Sequence, residues 1–321
     1  MSATSCLAQQ TTAAPPVTPL TVSTLDVTAS ATSSNWEPVA QSQSAARHVK
    51  KKILATAFAI NKPAQVADID HIEQGFPREL LRNLEQSRHF LVRSSPDLLS
   101  FTAQTEAPGQ KLVKQVAAEN DSQFVISGEI RNAGVQIEKK YWGMWSISKR
   151  HIEIELAVYD GVSGALLARH LLHQQAQGEA KVGRDKPFGS AVFYATGYGK
   201  AIAALLDESA SLIASDLESH AALAKIIKIG NGQIVIDAGK SSEIAAGDLA
   251  SVAVANNELP TLGLKSSQTM PLVYGVPHTI VGKVAIIQAQ QLFSVGELSA
   301  EVKADDVKVG DFVRFDNVMA N

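Results

Sequence analysis

The sequence predicts an α/β domain followed by a small all-β domain. Between Lys51 and Phe101 the pattern is strand, helix, strand, which is the order of an α/β layer. From Lys225 onwards, short apolar runs are separated by Asn-Gly and Gly-Asp turns, a pattern typical of a small barrel or SH3-like domain. At 321 residues the chain is long enough for two such domains.

Three segments divide the chain. Residues 1–46 are rich in Thr, Ser, Ala and Pro and are predicted to be a disordered tether. Residues 47–222 are predicted to form the α/β domain, and residues 223–321 the small β-barrel domain. The first ten residues resemble the end of a signal peptide, and those before Cys6 approach an acylation box. Lipidation of Cys6 and a misplaced start are both left open.

The first α/β elements follow from apolar spacing. Residues 53–60 form a nearly unbroken apolar run, which indicates a strand covered on both faces. The preceding lysines, Lys50, Lys51 and Lys52, are expected to be solvated. A helix with Pro77 in its first turn is predicted from apolar residues that recur every four positions: Ile72, Phe76, Leu80 and Leu84. Residues 90–92 offer the next strand.

The rest of the domain continues with alternating elements. A short helix is expected at 112–117, and a strand at 124–130 has Gly128 at a position suited to a bulge or a close backbone approach. Residues 151–159 alternate, with Glu153 and Glu155 predicted to lie on a solvated face. A return strand at 165–177 completes a hairpin. Helical spacing then predicts one long helix within residues 190–222.

The second domain is predicted from turns. Asn231 and Gly232 are the favoured pair for a type I′ turn between strands at 226–229 and 234–236. Further strands are expected at 249–254, 280–287, 292–298 and 312–315, with a polar insert at 256–277. The sequences AGDLASV and VGDFVRF, at Gly247 and Gly310, are expected to form equivalent turn-to-strand corners.

Catalytic and cofactor motifs are missing from the sequence. There is no Gly-x-Ser-x-Gly elbow and no His-Glu-x-x-His, and Gly199-Lys200 lacks the rest of a phosphate loop. His170 and His173 fall on opposite faces of a strand, which argues against a shared metal. We therefore expect no catalytic residues, no cofactor and no metal, although Asp305 and Asp306 leave a metal in the β domain open.

Composition narrows the choice of partner. A formal net charge of -3 gives no basic footprint for nucleic acid. The longest apolar runs are shorter than the ~20 residues of a membrane-spanning helix. Neither a nucleic-acid partner nor a membrane span is expected.

One aromatic cluster points to a protein partner. Tyr141, Trp142, Met144 and Trp145 lie in the connection between the strands ending near Arg131 and starting near His151. Tyr and Trp are enriched where binding energy concentrates at interfaces, so an exposed cluster at a hairpin tip predicts a docking surface. The alternative is that this loop folds back and covers the sheet edge or the core.

Several stretches resemble the flagellar assembly protein T family. The segment from Lys51 to Val92, SQFVISGEI, DGVSGALLARH and YGKAIAALLDESASLIASDL are similar to its middle domain, which itself resembles the N-terminal domain of the translocation protein TolB. KIIKIGNGQIVIDAGKSSEIAAGDLASV and VKVGDFVRF are similar to its C-terminal domain. The resemblance spans roughly residues 50 to 317 and implies a TolB-N-like α/β sandwich followed by an SH3-like domain.

The resemblance implies a non-enzymatic periplasmic protein of the flagellar basal body. Such a protein builds the H ring around the outer-membrane LP ring, self-associates in rings and helps install the T-ring proteins that anchor the stator. Family members carry a further N-terminal domain, whereas the tether occupies that place here. Two other hypotheses stay open: an envelope lipoprotein that regulates a cell-wall or secretion complex, and an enzyme or small-ligand binder using a cleft at the strand ends.

Overall fold

The computed structural model describes residues 47–99, 110–140, 145–176, 182–183, 185–255, 263–265, 271–273, 278–302 and 306–316. The predicted tether, with Cys6, lies outside these ranges, as do Tyr141, Trp142, Met144 and Asp305. Residues 44–321 form one compact unit. Within this unit a sheet domain is followed by a barrel.

The first domain is built on a mixed sheet of seven strands. They are β1 (Lys51–Ala57), β2 (Ala59–Ile60), β3 (Phe90–Leu98), β4 (Phe124–Asn132), β5 (Val135–Lys140), β6 (Trp145–Asp160) and β7 (Leu166–Ala176). β3, β1, β4 and β6 lie side by side in that order. β1 runs parallel to β3 and β4, whereas β6 runs antiparallel to β4, β5 and β7.

Helices cover both faces of this sheet. They are α1 (Ile72–Gln86), α2 (Gln110–Glu119), α3 (Ala191–Ala195) and α4 (Gly197–Glu218). α1 and α4 share the larger core with one face, where the predicted stripe of α1 is fully buried. α2 packs Val113 and Val116 against the opposite face, near Val125 and Tyr159. The predicted α/β architecture is confirmed.

The helix α1 begins earlier than predicted, and the difference explains a break in the first strand. Pro77 lies inside the helix, so its placement in the first turn was wrong. Because proline has no N–H, it cannot donate to the carbonyl of Glu73 four residues earlier. That carbonyl instead accepts from the backbone N–H of Phe58 at 2.9 Å. The N–H of Phe58 therefore bonds to α1 and not to a neighbouring strand, and the predicted strand divides at this residue into β1 and β2.

The same phenylalanine accounts for Gly128. A Cβ on Gly128 would come within 2.4 Å of the Phe58 ring, which is 1% exposed. The predicted close approach is therefore confirmed, with the ring of Phe58 as the group that approaches. The irregularity in the β4 register lies further along, between Ile130 and Asn132.

The long helix predicted after residue 190 is two helices. Thr196 has an extended backbone, with ψ of 156°, and separates α3 from α4. Its side chain accepts a hydrogen bond from the N–H of Gly199 at 2.9 Å and so caps α4. A Cβ on Gly199 would meet the carbonyl oxygen of Phe193 at 2.0 Å, so this glycine permits the two helices to pack.

The second domain is a closed barrel. Its strands are β8 (Ala222–Gly230), β9 (Gln233–Ile236), β10 (Leu249–Ala255), β13 (His278–Ala289), β14 (Ser294–Leu298) and β15 (Phe312–Phe315), in the order β10-β13-β14-β9-β8-β15. β15 pairs with β10 and closes it. A short pair, β11 (Gly263–Lys265) and β12 (Pro271–Val273), lies within the predicted polar insert. The small barrel is confirmed, whereas its SH3-like classification stays a prediction.

Local turn chemistry in the barrel agrees with the sequence. Asn231 and Gly232 have φ of 52° and 74°, as a type I′ turn requires. Gly247 and Gly310 both have positive φ, 95° and 104°. The aspartate after each glycine accepts from the backbone N–H three residues before it, at 2.8 Å and 2.7 Å. The two Gly-Asp corners are therefore equivalent, as predicted.

Candidate functional site: a projecting ribbon and a domain joint

β5 and the first part of β6 form a two-stranded ribbon that extends beyond the sheet. β6 pairs with β7 only from Arg150 onwards and with β4 only from Glu153 onwards. Among the described residues, 145–149 therefore pair with β5 alone, and Lys140 opposite Trp145 is the last described cross-strand pair. We call the paired segments 135–140 and 145–149 the ribbon. Its β5 strand was not predicted, and β6 begins six residues earlier than the predicted start at His151.

The ribbon exposes apolar side chains. Val135 and Ile137 are 46% and 63% exposed, and as alternate residues of one strand they share a face. The predicted docking residues come next in the sequence: Tyr141, Trp142 and Met144 follow the last residue of β5 and lie outside the described ranges, and Trp145 begins β6. Their contact with a partner stays a prediction.

A buried arginine fixes the root of the ribbon. The side chain of Arg150 is 1% exposed. Its two terminal nitrogens donate to the carboxylate of Asp68 at 2.6 Å and 2.8 Å, one of them also donates to the carbonyl of Gln65 at 2.7 Å, and Nε donates to that of Ala133 at 3.1 Å. The guanidinium lies 4.2 Å from the ring centroid of Tyr198. The point where the ribbon leaves the sheet is therefore held from several sides.

The charges at this root compensate each other. Burial acts to raise the pKa of Asp68, but hydrogen bonds from Arg150 and from the N–H of Val182, with the charge of Arg150, hold it below the ordinary value of 3.8. Burial raises the pKa of the Tyr198 hydroxyl to about 12. Asp68 is thus ionised at neutral pH and forms an ion pair with Arg150.

The buried root was not predicted from the sequence. Arg150 stands between Lys149 and His151, so the local pattern reads as a polar start to a strand. Its partner Asp68 is 82 residues away. The partner lies in a loop after β2 that carries no recognisable motif.

The predicted solvated face of β6 needs a correction. Glu155 is only 9% exposed. It forms ion pairs with Arg131 and, at 3.2 Å, with Arg169. Glu129 lies directly opposite Glu155. Burial raises the pKa of Glu129; the charge of Arg131 opposes that rise and the charge of Glu155 adds to it. Flanking arginines thus allow two facing carboxyl groups to be enclosed.

A second cluster of charges joins the sheet domain to the barrel. Lys52 was expected to be solvated, yet its side chain is 8% exposed. Its ammonium lies 2.9 Å and 3.0 Å from the two oxygens of Asp121, and 3.1 Å from Oδ2 of Asp237 in the barrel. Arg93 also binds Asp121, at 2.9 Å. We call these contacts, together with those of Gln123, the domain joint.

The pKa values of the two joint carboxyl groups shift in opposite directions. Burial acts to raise the pKa of Asp121, but hydrogen bonds from Lys52 and Asp237 and the charges of Lys52 and Arg93 hold it below the ordinary value. Burial raises the pKa of Asp237, although Lys52 opposes the rise, and the neighbouring Asp121 adds to it. The ionised form is therefore favoured at Asp121, which contacts both Lys52 and Arg93, and disfavoured at Asp237.

Further contacts secure the same joint. The side chain of Gln123 donates to the carbonyl of Ala221 at 2.8 Å and accepts from the N–H of Leu223 at 3.0 Å. These bonds hold the chain where it passes from α4 into the barrel. Residues 47–50, ahead of β1, also contact the barrel, with Arg47 bound to Asp248 at 2.8 Å.

Within the part of the chain that the structure describes, no three metal-ligating side chains come together. In the same part, no helix is long and apolar enough to span a bilayer. The features that stand out are the projecting ribbon and its buried root. The candidate site is the ribbon, which lies on an α/β domain whose sheet has helices on both faces.

The fold and this surface define a class of protein in which an α/β sheet domain with a projecting ribbon is joined to a small barrel. Residues 42–185 match the family model described as flagellar assembly protein T, middle domain. The match covers less than half of the chain, and it shows that this part is similar to the middle domain of a flagellar assembly protein. The similarity of residues 223–321 to the family's C-terminal domain stays a prediction.

Solved structures show weaker similarity. A hypothetical protein from Chlamydia trachomatis has 15% identity and a TM-score of 0.39, covering 51% of this chain and 95% of its own. PelC from Paraburkholderia phytofirmans, a dodecamer, has 11% identity and a TM-score of 0.31, covering 54% and 91%. TolB from Acinetobacter baumannii has 11% identity and a TM-score of 0.25, and the match covers 77% of this chain and 57% of TolB. The comparison with curated proteins finds no match.

Proposed function

We propose that this protein is a structural component of the flagellar basal body that works without catalysis, by burying contact area against ring proteins. In this proposal it resides in the periplasm and supports the H ring around the outer-membrane LP ring. Its partners are LP-ring, H-ring and T-ring components, together with further copies of itself. The family match over residues 42–185 supports the flagellar setting.

The ribbon is the proposed contact element. Val135 and Ile137 expose apolar surface, and large apolar side chains left in water mark interaction sites when they cluster. Trp142 and Trp145 follow within eight residues, and tryptophan is enriched among the residues that dominate binding energy. This combination of exposed apolar strand and adjacent aromatics is the observation that carries the proposal.

The ribbon also offers main-chain contacts. Over the described residues, β5 pairs with β6 alone, and residues 145–149 of β6 have no partner on the side facing away from β5. Unpaired strand edges accept additional strands, and main-chain hydrogen bonds then add affinity. A ribbon of two strands is also marginally stable by itself in water. Binding a partner would therefore stabilise it.

The test compares the two tryptophans at positions 142 and 145 with an exposed leucine of the barrel. In a deletion strain, the variant Trp142→Ala with Trp145→Ala is expected to lower co-sedimentation with isolated basal bodies at least about tenfold, since interface tryptophans contribute about 2 kcal/mol or more each. Swimming should fall in parallel. Leu292→Ala, a residue 71% exposed in the barrel, is the matched control and should behave as wild type.

Two outcomes would count against the proposal. If the double tryptophan variant co-sediments like the wild type, the two tryptophans do not contribute to the contact with the basal body. Normal swimming in cells without the protein would remove the flagellar role altogether. Circular dichroism of each purified variant separates a lost contact from a lost fold.

A further inference from the structure

A cavity of about 270 Å³ lies beside the domain joint, on the path from α4 to the barrel. Its apolar wall includes Phe124, Leu167 and Leu223, and its polar lining includes His220, His278 and Arg314. The volume is slightly below the ~300 Å³ at which small-molecule pockets begin, so it suits a small ligand. Both domains contribute to the lining, since Phe124 belongs to β4 and Arg314 to β15.

The two histidines present an unusual arrangement. Nδ1 of His220 and Nε2 of His278 are buried and have no hydrogen-bond partner among the described residues. Each ring packs by its edge against an aromatic ring: His220 against Phe124, with centroids 5.6 Å apart, and His278 against Phe312, at 6.0 Å. One nitrogen of each imidazole is therefore enclosed by protein.

This enclosure decides where the proton of each neutral imidazole lies. A neutral imidazole carries one N–H donor and one lone-pair acceptor. A buried donor without an acceptor is rarer in proteins than an unsatisfied acceptor. The buried nitrogen of each ring should thus carry the lone pair. The proton then lies on Nε2 of His220 and on Nδ1 of His278, neither of which is among the enclosed, unpartnered atoms.

The rim adds a positive charge. Arg314 is 44% exposed, and its Nε binds Asp316 at 2.7 Å. No described residue engages its two terminal nitrogens. Asp160 also lines the cavity, but its carboxylate already accepts from the N–H groups of Val162 and Ser163, at 3.2 Å and 3.0 Å, and from the Ser163 hydroxyl. The carboxylate of Asp160 is therefore already satisfied by protein donors, whereas the described residues leave the terminal nitrogens of Arg314 available.

We propose that this cavity binds a small organic carboxylate. The carboxylate oxygens accept from the free N–H groups of His220 and His278 and from the guanidinium of Arg314, and the short apolar body of the ligand packs on Phe124 and Leu167. Apolar lining with a few convergent polar groups is the usual composition of a small-ligand site. Because the lining comes from both domains, the bound carboxylate bridges them. This goes beyond the proposed assembly function and does not depend on it.

The test uses the full chain with ¹⁵N-labelled histidine. Long-range ¹H–¹⁵N spectra report the tautomer of each ring, and titration with butyrate, inorganic phosphate and Zn²⁺ separates the ligand classes. We expect Nε2–H on His220 and Nδ1–H on His278, and saturable butyrate shifts at these two rings only. Arg314→Gln should weaken butyrate binding about tenfold or more, as expected for a lost hydrogen bond to a charged group. Arg78→Gln, an exposed arginine on α1, should leave binding unchanged.

Each contrary result overturns the proposal. The opposite tautomers, Nδ1–H on His220 and Nε2–H on His278, would mean that these rings offer the ligand no N–H donors. Butyrate shifts that are spread over all histidines, or that persist equally in Arg314→Gln, would show adventitious binding only. Saturable shifts with phosphate or Zn²⁺ and none with butyrate would assign the cavity to another ligand class.

Discussion

The root of the ribbon and the domain joint hold their parts of the molecule by different means. At the root, a guanidinium that is 1% exposed binds a carboxylate, two carbonyl groups and an aromatic face. At the joint, one buried ammonium lies between two carboxylates, and Asp121 is 42% exposed. The root lies within one domain and its carboxylate Asp68 is 31% exposed, whereas the joint connects two domains, with Asp121 42% and Asp237 18% exposed.

The difference suggests that the ribbon and the barrel are held with different rigidity relative to the sheet. A guanidinium that is 1% exposed is costly to leave without its carboxylate, since the charge is then buried and unpaired. A half-exposed pair is screened by water and contributes less. The ribbon should therefore keep its direction relative to the sheet, while the barrel can adjust its position at lower cost.

The largest expected effect is at the root. Arg150→Met should lower the free energy of unfolding by about 3 to 5 kcal/mol, because it leaves Asp68 and two carbonyl groups without their donor. Arg78→Met, on an exposed part of α1, is the matched control and should change stability by less than about 0.5 kcal/mol. Urea unfolding followed by circular dichroism measures both. Equal stability of the two variants would show that the root does not hold the domain together.

The joint should respond more weakly. Lys52→Met is expected to cost about 1 to 3 kcal/mol, since Asp121 and Asp237 then face each other without the ammonium between them. Amide hydrogen exchange should rise in β8 and β9 more than in β4, because the barrel loses its link to the sheet domain. Lys114→Met, an exposed lysine of α2 that lines the same cleft, should leave exchange unchanged. Uniform exchange across both domains would contradict the contrast drawn above.

These two sites also show what could be predicted from the sequence and what could not. Elements with local signals were predicted: the stripe of α1, the hairpin of β6 and β7, and the Asn231-Gly232 turn all depend on neighbours within a few residues. Lys52 was predicted to be solvated and Arg150 was not singled out, because their partners are distant: Asp68 lies 82 residues from Arg150, and Asp237 lies 185 residues from Lys52. Local charge patterns carry no information about such long-range pairing, and the same holds for the ion pairs that bury Glu155.

The β5 strand was missed for a related reason. Its sequence VQIEKK alternates weakly and ends in charge, so propensity alone does not distinguish it from a connection. Pairing with β6 makes it a strand. The candidate docking residues beyond it were identified by composition, because two tryptophans within four residues are conspicuous in any context. The docking hypothesis could therefore be made from composition alone, before the strand β5 next to these residues was known.

The smallest expected effect is on the pH dependence of stability, which has opposite signs for Asp68 at the root and Asp237 at the joint. The pKa of Asp68 is held below 3.8, so its contribution to stability is present at neutral pH and is lost as the pH falls through the folded-state value. The pKa of Asp237 is raised, so its contribution is present at low pH and is lost as the pH rises through the folded-state value. Asp68→Asn should therefore destabilise the protein by about 1 kcal/mol or more near neutral pH, and by less in acid.

Asp237→Asn supplies the contrast at the joint. The asparagine keeps an acceptor for the N–H of Lys225, which Asp237 binds at 2.6 Å, and it removes a carboxyl group whose ionised form is disfavoured. Its stability near neutral pH should lie within about 1 kcal/mol of wild type or above it. Urea titrations of both variants at neutral and acid pH measure the difference. A larger loss at neutral pH from Asp237→Asn than from Asp68→Asn would mean that the joint, and not the root, carries the ionised carboxylate on which stability depends.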